Sequence, residues 1–100
     1  MKGSPDFEKA MHGIYTKAKL EAGYNASLYL QMLYRHDGLG TAKQLINSPQ
    51  VSQGYTRLSE LKRLDLTVEV LVIDNPKWHH LFTREELERA RKRYMNTGIF

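Results

Sequence analysis

The chain has 100 residues, with 15 Lys and Arg against 11 Asp and Glu, so its formal net charge is +4. This length predicts a single domain over residues 1–100, because a second hydrophobic core would have no residues left. A content of 41% hydrophobic and 26% charged residues is typical of globular proteins and argues against a disordered or collagen-like chain. The sequence contains no cysteine, which excludes disulfide bonds, cysteine nucleophiles and cysteine-ligated metal centres.

The sequence also bears on location. The first residues are polar and acidic where a signal peptide would have an apolar run. The longest unbroken apolar stretch, Val70–Ile73, is far shorter than a membrane span requires. Small secreted domains often carry disulfides, so the lack of cysteine favours a reducing compartment. We therefore expect a cytoplasmic protein that does not cross a membrane.

The first predicted helix runs from about Pro5 to Ala22. Ser4 is suited to cap it, and Asp6 and Glu8 place negative charge near the positive end of the helix dipole. Gly23 is expected to end it. Apolar residues recur along one side at helical spacing, namely Phe7, Met11, Ile14, Ala18 and Ala22.

The second predicted helix starts with Asn25 as its cap and runs to about Arg35, with Tyr24 and Tyr29 spaced to form a hydrophobic staple. Asp37–Gly40 is expected to break it. Its apolar residues leave little polar surface, which predicts the central and most buried element of the fold. These residues are Leu28, Tyr29, Leu30, Met32, Leu33 and Tyr34.

A short third helix over roughly residues 42–47 is predicted from Thr41 and Gln44, whose spacing is that of a capping box. The proline at position 49 stops it. The polar stretch Gln50–Tyr55 is predicted to be a surface loop.

Two further helices are predicted in the middle of the chain. Thr56 is expected to cap a fourth helix, which carries Leu58, Leu61 and Leu64, and Thr67 to open a fifth. Residues 68–73 are rich in β-branched side chains, which favours a strand. A lone strand would leave its backbone unpaired, because no other segment offers a partner, so we predict a helix.

The carboxyl-terminal part begins with Trp78–Phe82, predicted to be a helical turn that inserts aromatic side chains under the last helix. Thr83 and Glu86 form a second capping box, which starts a helix that runs to about Met95. Asn96–Gly98 closes it. Together the segments predict an all-α fold, a compact bundle of five to six short helices.

The chain resembles an uncharacterised family of small bacterial helical proteins of about this length. The resemblance covers most of the chain, and it implies a mostly helical bacterial domain without implying an activity, a ligand or a catalytic residue. It rests on four stretches, Gly23–Ala26, His36–Lys43, Arg63–Glu69 and Leu81–Arg91.

We considered metal binding and acid–base chemistry. His79 and His80 are adjacent, so on a helix they point about 100° apart and do not form the i, i+4 pair that a metal favours. Asp65 and Glu69 are four residues apart, which is compatible with paired carboxylates on one face. They are also suited to helix capping and to pairing with Arg63, and this architectural reading is favoured. We predict no metal site, catalytic residue or cofactor.

Residues 41–63 have the outline of a helix-turn-helix segment, although a connection from Ser48 to Tyr55 is longer than the usual three or four residues. The last helix is rich in bases, of which Glu85 to Arg89 and Glu88 to Lys92 are spaced as i, i+4 pairs, leaving Arg91 and Arg93 in surplus. The candidate nucleic-acid contacts are Arg57, Lys62, Arg63, Arg91 and Arg93.

The leading hypothesis is a small non-enzymatic bacterial domain that acts by macromolecular interaction, with another protein as the favoured partner. The alternative is a nucleic-acid-binding module centred on residues 41–63. An enzyme, or an enzyme subunit completed by a partner, is the third class, and no constellation of residues in the sequence supports it.

Overall fold

The structure is a computed structural model, which describes residues 4–97. Over these residues it contains helices and no strands, so the predicted all-α fold is confirmed. Within the same range no helix has the length and apolar content needed to cross a membrane. The last helix, predicted to end at about Met95, continues to Thr97, and Gly98 of the predicted closing turn lies outside the described residues. The elements are α1 (Pro5–Ala22), α2 (Ser27–Asn47), α3 (Gln53–Glu60), a 3₁₀ turn (Leu64–Leu66), α4 (Val68–Ile73), a second 3₁₀ turn (Pro76–Leu81) and α5 (Arg84–Thr97).

Helix α1 agrees with its prediction at both ends. The Ser4 hydroxyl accepts a hydrogen bond from the Phe7 backbone N–H at 3.0 Å, which satisfies one of the free donors of the first turn. At the other end Gly23 adopts a left-handed conformation with φ of 64°, which glycine reaches without steric strain. The residues that α1 buries in the core are Phe7, Met11, Ile14 and Ala18.

Helix α2 begins at Ser27, two residues after the predicted cap, and Ala26 precedes it without any side-chain cap. The prediction that Asn25 caps this helix is wrong. Its amide oxygen instead accepts a hydrogen bond from the Tyr15 hydroxyl at 2.9 Å, so a contact to α1 takes the atom that a cap would use.

The predicted break after Arg35 is confirmed as a kink at Asp37, whose φ of 60° and ψ of −178° interrupt the helical backbone. The Asp37 carboxylate accepts from the Gly40 N–H at 2.7 Å, and the Glu8 carboxylate from α1 accepts from the Gly38 N–H at 2.6 Å. These two acids cap the second half of α2. The Thr41 capping box is therefore wrong, because Thr41 lies inside the helix, fully buried, and its hydroxyl has no partner among the described residues.

The first half of α2 is much less buried than predicted. Of its apolar residues, Leu33 lies in the core, whereas Leu28 is 64% exposed and Tyr34 is 78% exposed. Helix α1 packs against α2, and the hydrogen bonds between α5 and α2 lie in the second half of α2, at Lys43, Leu45 and Asn47. The prediction that this half of α2 is the most buried element is wrong, because α1 packs against it while Leu28 and Tyr34 are left exposed to solvent.

Helix α3 begins at Gln53, within the segment predicted to be a loop. The Ser52 hydroxyl accepts from the Tyr55 N–H at 3.0 Å, so Ser52 and not Thr56 is the cap. The connection between α2 and α3 is therefore Ser48–Ser52, shorter than predicted. Lys62, just after α3, has a positive φ of 60°, and it turns the chain towards the first 3₁₀ turn.

Residues 68–73, whose β-branched side chains favour a strand, are helical, as predicted. The Thr67 hydroxyl accepts from the Val70 N–H at 3.3 Å and caps α4. The predicted helical turn around Trp78 is also present, and its aromatic cluster is completed by Phe7 of α1. The Phe7 ring lies edge-on to Trp78 at 5.2 Å and to Phe82 at 5.8 Å between ring centroids.

The capping box at the start of α5 is confirmed. Thr83 accepts from the Glu86 N–H at 3.1 Å, and Glu86 accepts from the Thr83 N–H at 2.8 Å. The same carboxylate accepts from Lys43 and from Asn47, each at 2.7 Å, so it joins α5 to α2. Burial raises the pKa of Glu86, but these donors outweigh it and the pKa lies below its usual value.

Candidate functional site

A half-open cavity of about 380 Å³ lies where the end of α1, the start of α2, α3 and the start of α4 meet. Its volume falls in the range of about 300–1,000 Å³ that is typical of binding pockets. The walls are mostly apolar and come from segments far apart in the sequence, including Ile14 and Ala18 of α1, Leu45 of α2 and Leu58 of α3. The sequence analysis did not foresee this cavity.

Tyrosine side chains form much of the wall, since four of the six tyrosines in the chain line the cavity. Three of their hydroxyls already have partners within the protein. Tyr15 donates to Asn25, Tyr29 donates to the Met11 carbonyl at 2.7 Å, and Tyr55 bonds to the Thr97 hydroxyl at 3.1 Å. Burial raises the pKa of Tyr29 well above its usual value. These residues therefore present aromatic rings to the cavity while their polar ends are satisfied elsewhere.

Glu69 is the one charged residue among the described residues that line the cavity. Its carboxylate is almost fully buried and accepts from Arg93 of α5 at 3.2 Å. Burial raises the pKa of Glu69, an effect that its own backbone N–H and Arg93 offset in part. The predicted pairing of Arg63 with Glu69 does not occur.

Arg93 is held by three acceptors. Besides Glu69, it donates to the Leu45 carbonyl at 2.8 Å and to the Ser48 carbonyl at the end of α2. Its side chain is 11% exposed. The prediction that Arg93 belongs to a surplus of surface bases is wrong. Helix packing turns this residue towards the interior, where its guanidinium donates to backbone carbonyls at the end of α2.

The mouth of the cavity, formed by the exposed residues of its lining, is uncharged. It comprises Leu28, which is 64% exposed, and the polar residues Asn25, Ser27 and Gln53. Met32, one turn further along α2, lines the cavity and is half-buried. Tyr24 and Gly54 lie close to each other at the cavity wall, where a Cβ on Gly54 would stand 3.5 Å from the Tyr24 hydroxyl. An occupant therefore meets an uncharged entrance.

The other candidate bases lie outside this cavity. Arg57 pairs with Glu60 at 3.3 Å, on exposed side chains. Arg63 pairs with Glu21 at 2.7 Å and with Asp65 at 3.0 Å. The hydrogen bonds that Arg63 donates to Asp65 above all, and then the one that it donates to Glu21, hold the pKa of Arg63 above its usual value. Lys62 and Arg91 are exposed, and within residues 4–97 neither has a salt-bridge partner.

The charges along α5 are also mixed in sign. A shallow depression between α5 and the end of α2 is lined by both acids and bases. The salt bridge seen on this helix joins Arg84 to Glu88 at 3.5 Å, whereas Arg89 bonds to Asn47 instead of the predicted Glu85. The field over this face is therefore mixed rather than strongly positive.

The remaining sequence candidates do not come together in one site. His79 bonds through Nε2 to the Val72 carbonyl at 3.0 Å, and His80 is exposed. Asp65 and Glu69 do not share a face, because Asp65 is exposed beside Arg63 while Glu69 is buried beside Arg93. Over the described part of the chain, no group of three or more His, Asp or Glu side chains is arranged to hold a metal ion.

Comparison of the chain with protein-family models, with curated proteins and with solved structures found no match. The resemblance to a bacterial family stays a prediction from the sequence.

Proposed function

We propose that this chain is a non-enzymatic bacterial domain of the cytoplasm that acts by binding a partner protein. The partner would cover the first half of α2 and the mouth of the cavity. One observation carries the proposal. A helix that is hydrophobic on all sides is normally buried, yet here Leu28 stands 64% exposed beside an open apolar cavity.

The character of this surface favours a protein partner over nucleic acid. Nucleic-acid binding depends on cations that neutralise phosphates, and the cavity mouth has none among its described lining residues. Arg57, Arg63 and Arg93, three of the candidate contacts, already pair with carboxylates. Apolar and aromatic side chains, which the cavity offers in number, are enriched in the buried centres of protein interfaces.

The test is affinity capture from the native cell with three forms of the protein, in the presence and absence of nuclease. The forms are the parent, Leu28→Glu, and Leu20→Glu as a matched control. Leu20 is 78% exposed on α1 and does not line the cavity, so its variant adds the same charge to a different surface.

We expect the parent and Leu20→Glu to capture the same protein partner with or without nuclease, and Leu28→Glu to lose it. Capture that nuclease abolishes would instead favour the nucleic-acid alternative. Equal capture by all three forms would contradict the proposal, because the partner would then bind elsewhere.

A further inference from the structure

We infer that the interior of the cavity binds a small uncharged aromatic molecule, about the size of two fused rings, whose polar group forms a hydrogen bond with the Tyr24 hydroxyl. This inference goes beyond the proposed function. It concerns a ligand inside the cavity, whereas the partner protein would cover the mouth and the neighbouring part of α2.

The volume of the cavity sets the size of the ligand. An apolar cavity of about 150 Å³ is large enough to hold benzene. The cavity in this protein has about 380 Å³, so it has room for a compound of about 10 to 15 non-hydrogen atoms. It is also half-open, which gives such a compound a route of entry past Leu28.

The walls favour a flat ring over a flexible chain. Four tyrosines line the cavity, and three of them bond through their hydroxyls to groups elsewhere in the protein, which leaves their rings for contact with an occupant. Aromatic rings that stack with an offset or meet edge to face are stabilised by more than the area they bury. An aromatic ligand therefore gains contacts here that an aliphatic molecule of equal size does not.

The charge of the lining disfavours ions. Within residues 4–97 no Lys, Arg or His side chain lines the cavity, so an anion would enter without a counter-charge. The Glu69 carboxylate already pairs with Arg93 at 3.2 Å, and 4% of its side chain is exposed. An added cation would therefore lose its water without gaining an unpaired acid. Burying an unpaired ion is costly, which favours an uncharged ligand.

Tyr24 offers the polar contact that would orient the ligand. This residue is half-buried in the cavity wall beside Gly54. Unlike the hydroxyls of the other three tyrosines, the Tyr24 hydroxyl has no hydrogen-bond partner in the part of the chain that the structure describes. A phenol both donates and accepts, so it can pair with a hydroxyl, a carbonyl or a ring nitrogen of a neutral ligand. Apolar walls with a few polar groups are typical of small-molecule sites.

The first experiment compares three compounds that share a naphthalene ring and differ in charge. They are β-naphthol, which is uncharged at neutral pH, the anion β-naphthoate and the cation β-naphthylmethylammonium. Each is titrated into the purified protein by isothermal titration calorimetry. We expect β-naphthol to bind with a Kd below about 1 mM and the two ions to bind at least about tenfold more weakly. No binding of β-naphthol at about 1 mM, or equal binding of all three, would overturn the inference.

A filled cavity tests the location of the site. Gly54→Leu adds a side chain to the lining beside Tyr24, at a position where a Cβ has ordinary contact distances. Gly13→Leu is the matched control, because Gly13 lies on α1 outside the lining and a Cβ there meets open space. We expect Gly54→Leu to weaken β-naphthol binding by about tenfold or more and Gly13→Leu by less than about twofold. Circular dichroism checks that both variants keep their helices. Equal effects of the two variants would contradict the assigned site.

A milder pair of variants tests the hydrogen bond without changing the cavity volume by more than one oxygen atom. Tyr24→Phe should weaken β-naphthol binding by about two- to tenfold, as expected for the loss of one hydrogen bond between neutral groups. Tyr34→Phe should leave it unchanged, because Tyr34 is exposed and does not line the cavity. Unchanged binding in Tyr24→Phe would contradict the role of its hydroxyl.

NMR locates the ligand directly. Ring protons of β-naphthol should show intermolecular contacts to the methyl groups of Ile14 and Leu58, which line the cavity, and contacts confined to other methyl groups would contradict the inference. These measurements use the purified chain and need no partner protein. A failure to bind β-naphthol would therefore leave the proposed function standing, and cellular capture that does not depend on Leu28 would leave the ligand site standing.

Discussion

The substitution Arg93→Met removes the guanidinium that pairs with the buried Glu69 carboxylate, and it keeps an apolar stem of similar length. Glu69 would then be an unpaired carboxylate that is 3% exposed, and the Leu45 and Ser48 carbonyls would lose a donor. Breaking a buried ion pair by removing one partner typically lowers stability by about 3–5 kcal/mol. We expect a loss of this size near pH 8.

The loss should depend on pH. The pKa of Glu69 in the folded protein is raised above its ordinary value of 4.5, so the folded state binds more protons than the unfolded state just above that pH. Stability therefore falls as pH rises from the unfolded pKa to the folded one. Without Arg93 the pKa of Glu69 rises further and this window extends upward, so Arg93→Met should be less destabilising at pH 5 than at pH 8.

The assay is urea denaturation followed by circular dichroism at pH 5 and pH 8. Arg91→Met, on the exposed side of α5, is the matched control and should stay within about 0.5 kcal/mol of the parent. In the double variant Glu69→Gln with Arg93→Met, the loss relative to the parent should depend much less on pH than in Arg93→Met alone, because no carboxylate remains at position 69. An equal loss at both pH values, or a result no different from that of Arg91→Met, would refute the buried-charge argument.

Three further predictions follow from the helix caps and the paired bases. Asp37→Ala should lower stability by about 0.5–2 kcal/mol, because it removes the cap on the Gly40 N–H. Thr41→Val should leave the stability unchanged or raise it, because it replaces a buried hydroxyl that has no partner among the described residues. Denaturation midpoints of both variants test this, and a large loss for Thr41→Val would show that Thr41 is the cap. Thr83→Ala should lower stability by about 0.5–2 kcal/mol through loss of the capping box, and an unchanged denaturation midpoint would place the start of α5 elsewhere. The protein should bind labelled duplex and single-stranded DNA and RNA only weakly at about 150 mM salt, because Arg57 and Arg63 already pair with carboxylates. A submicromolar affinity that weakens in Arg57→Ala or Arg63→Ala would favour the nucleic-acid alternative over a protein partner.

The sequence by itself determined the features that depend on neighbours three or four residues away. The caps at Ser4 and Thr67 and the box at Thr83 were predicted correctly because each hydrogen bond joins positions three apart, where the backbone geometry is nearly fixed. The helical state of residues 68–73 was also predicted, on the ground that the chain offers no second strand. Local chemistry is sufficient for such decisions.

Tertiary contacts decided what local patterns left open or predicted wrongly. Asn25 has a good capping side chain, but Tyr15, ten residues away, takes its oxygen. Thr41 follows a capping pattern, but Asp37 caps that helix together with a carboxylate from α1, thirty residues from its N–H partner. Arg93 looked like a surface base until packing brought it to Glu69, twenty-four residues away. Tyr15, Glu8 and Glu69 cannot be identified from spacing along the chain, whereas the Asp37 cap joins positions three apart and is a local signal that the sequence analysis missed.

The cavity that forms the candidate site arises only when the helices pack together. Periodicity could not foresee a cavity whose walls come from four helices, because its volume depends on how closely those helices approach. The apolar content of the first half of α2 did carry a signal, since it indicated a surface to be covered. The packing of the helices decides which part of that surface is covered. Helix α1 packs against α2, and Leu28 is left exposed at the cavity.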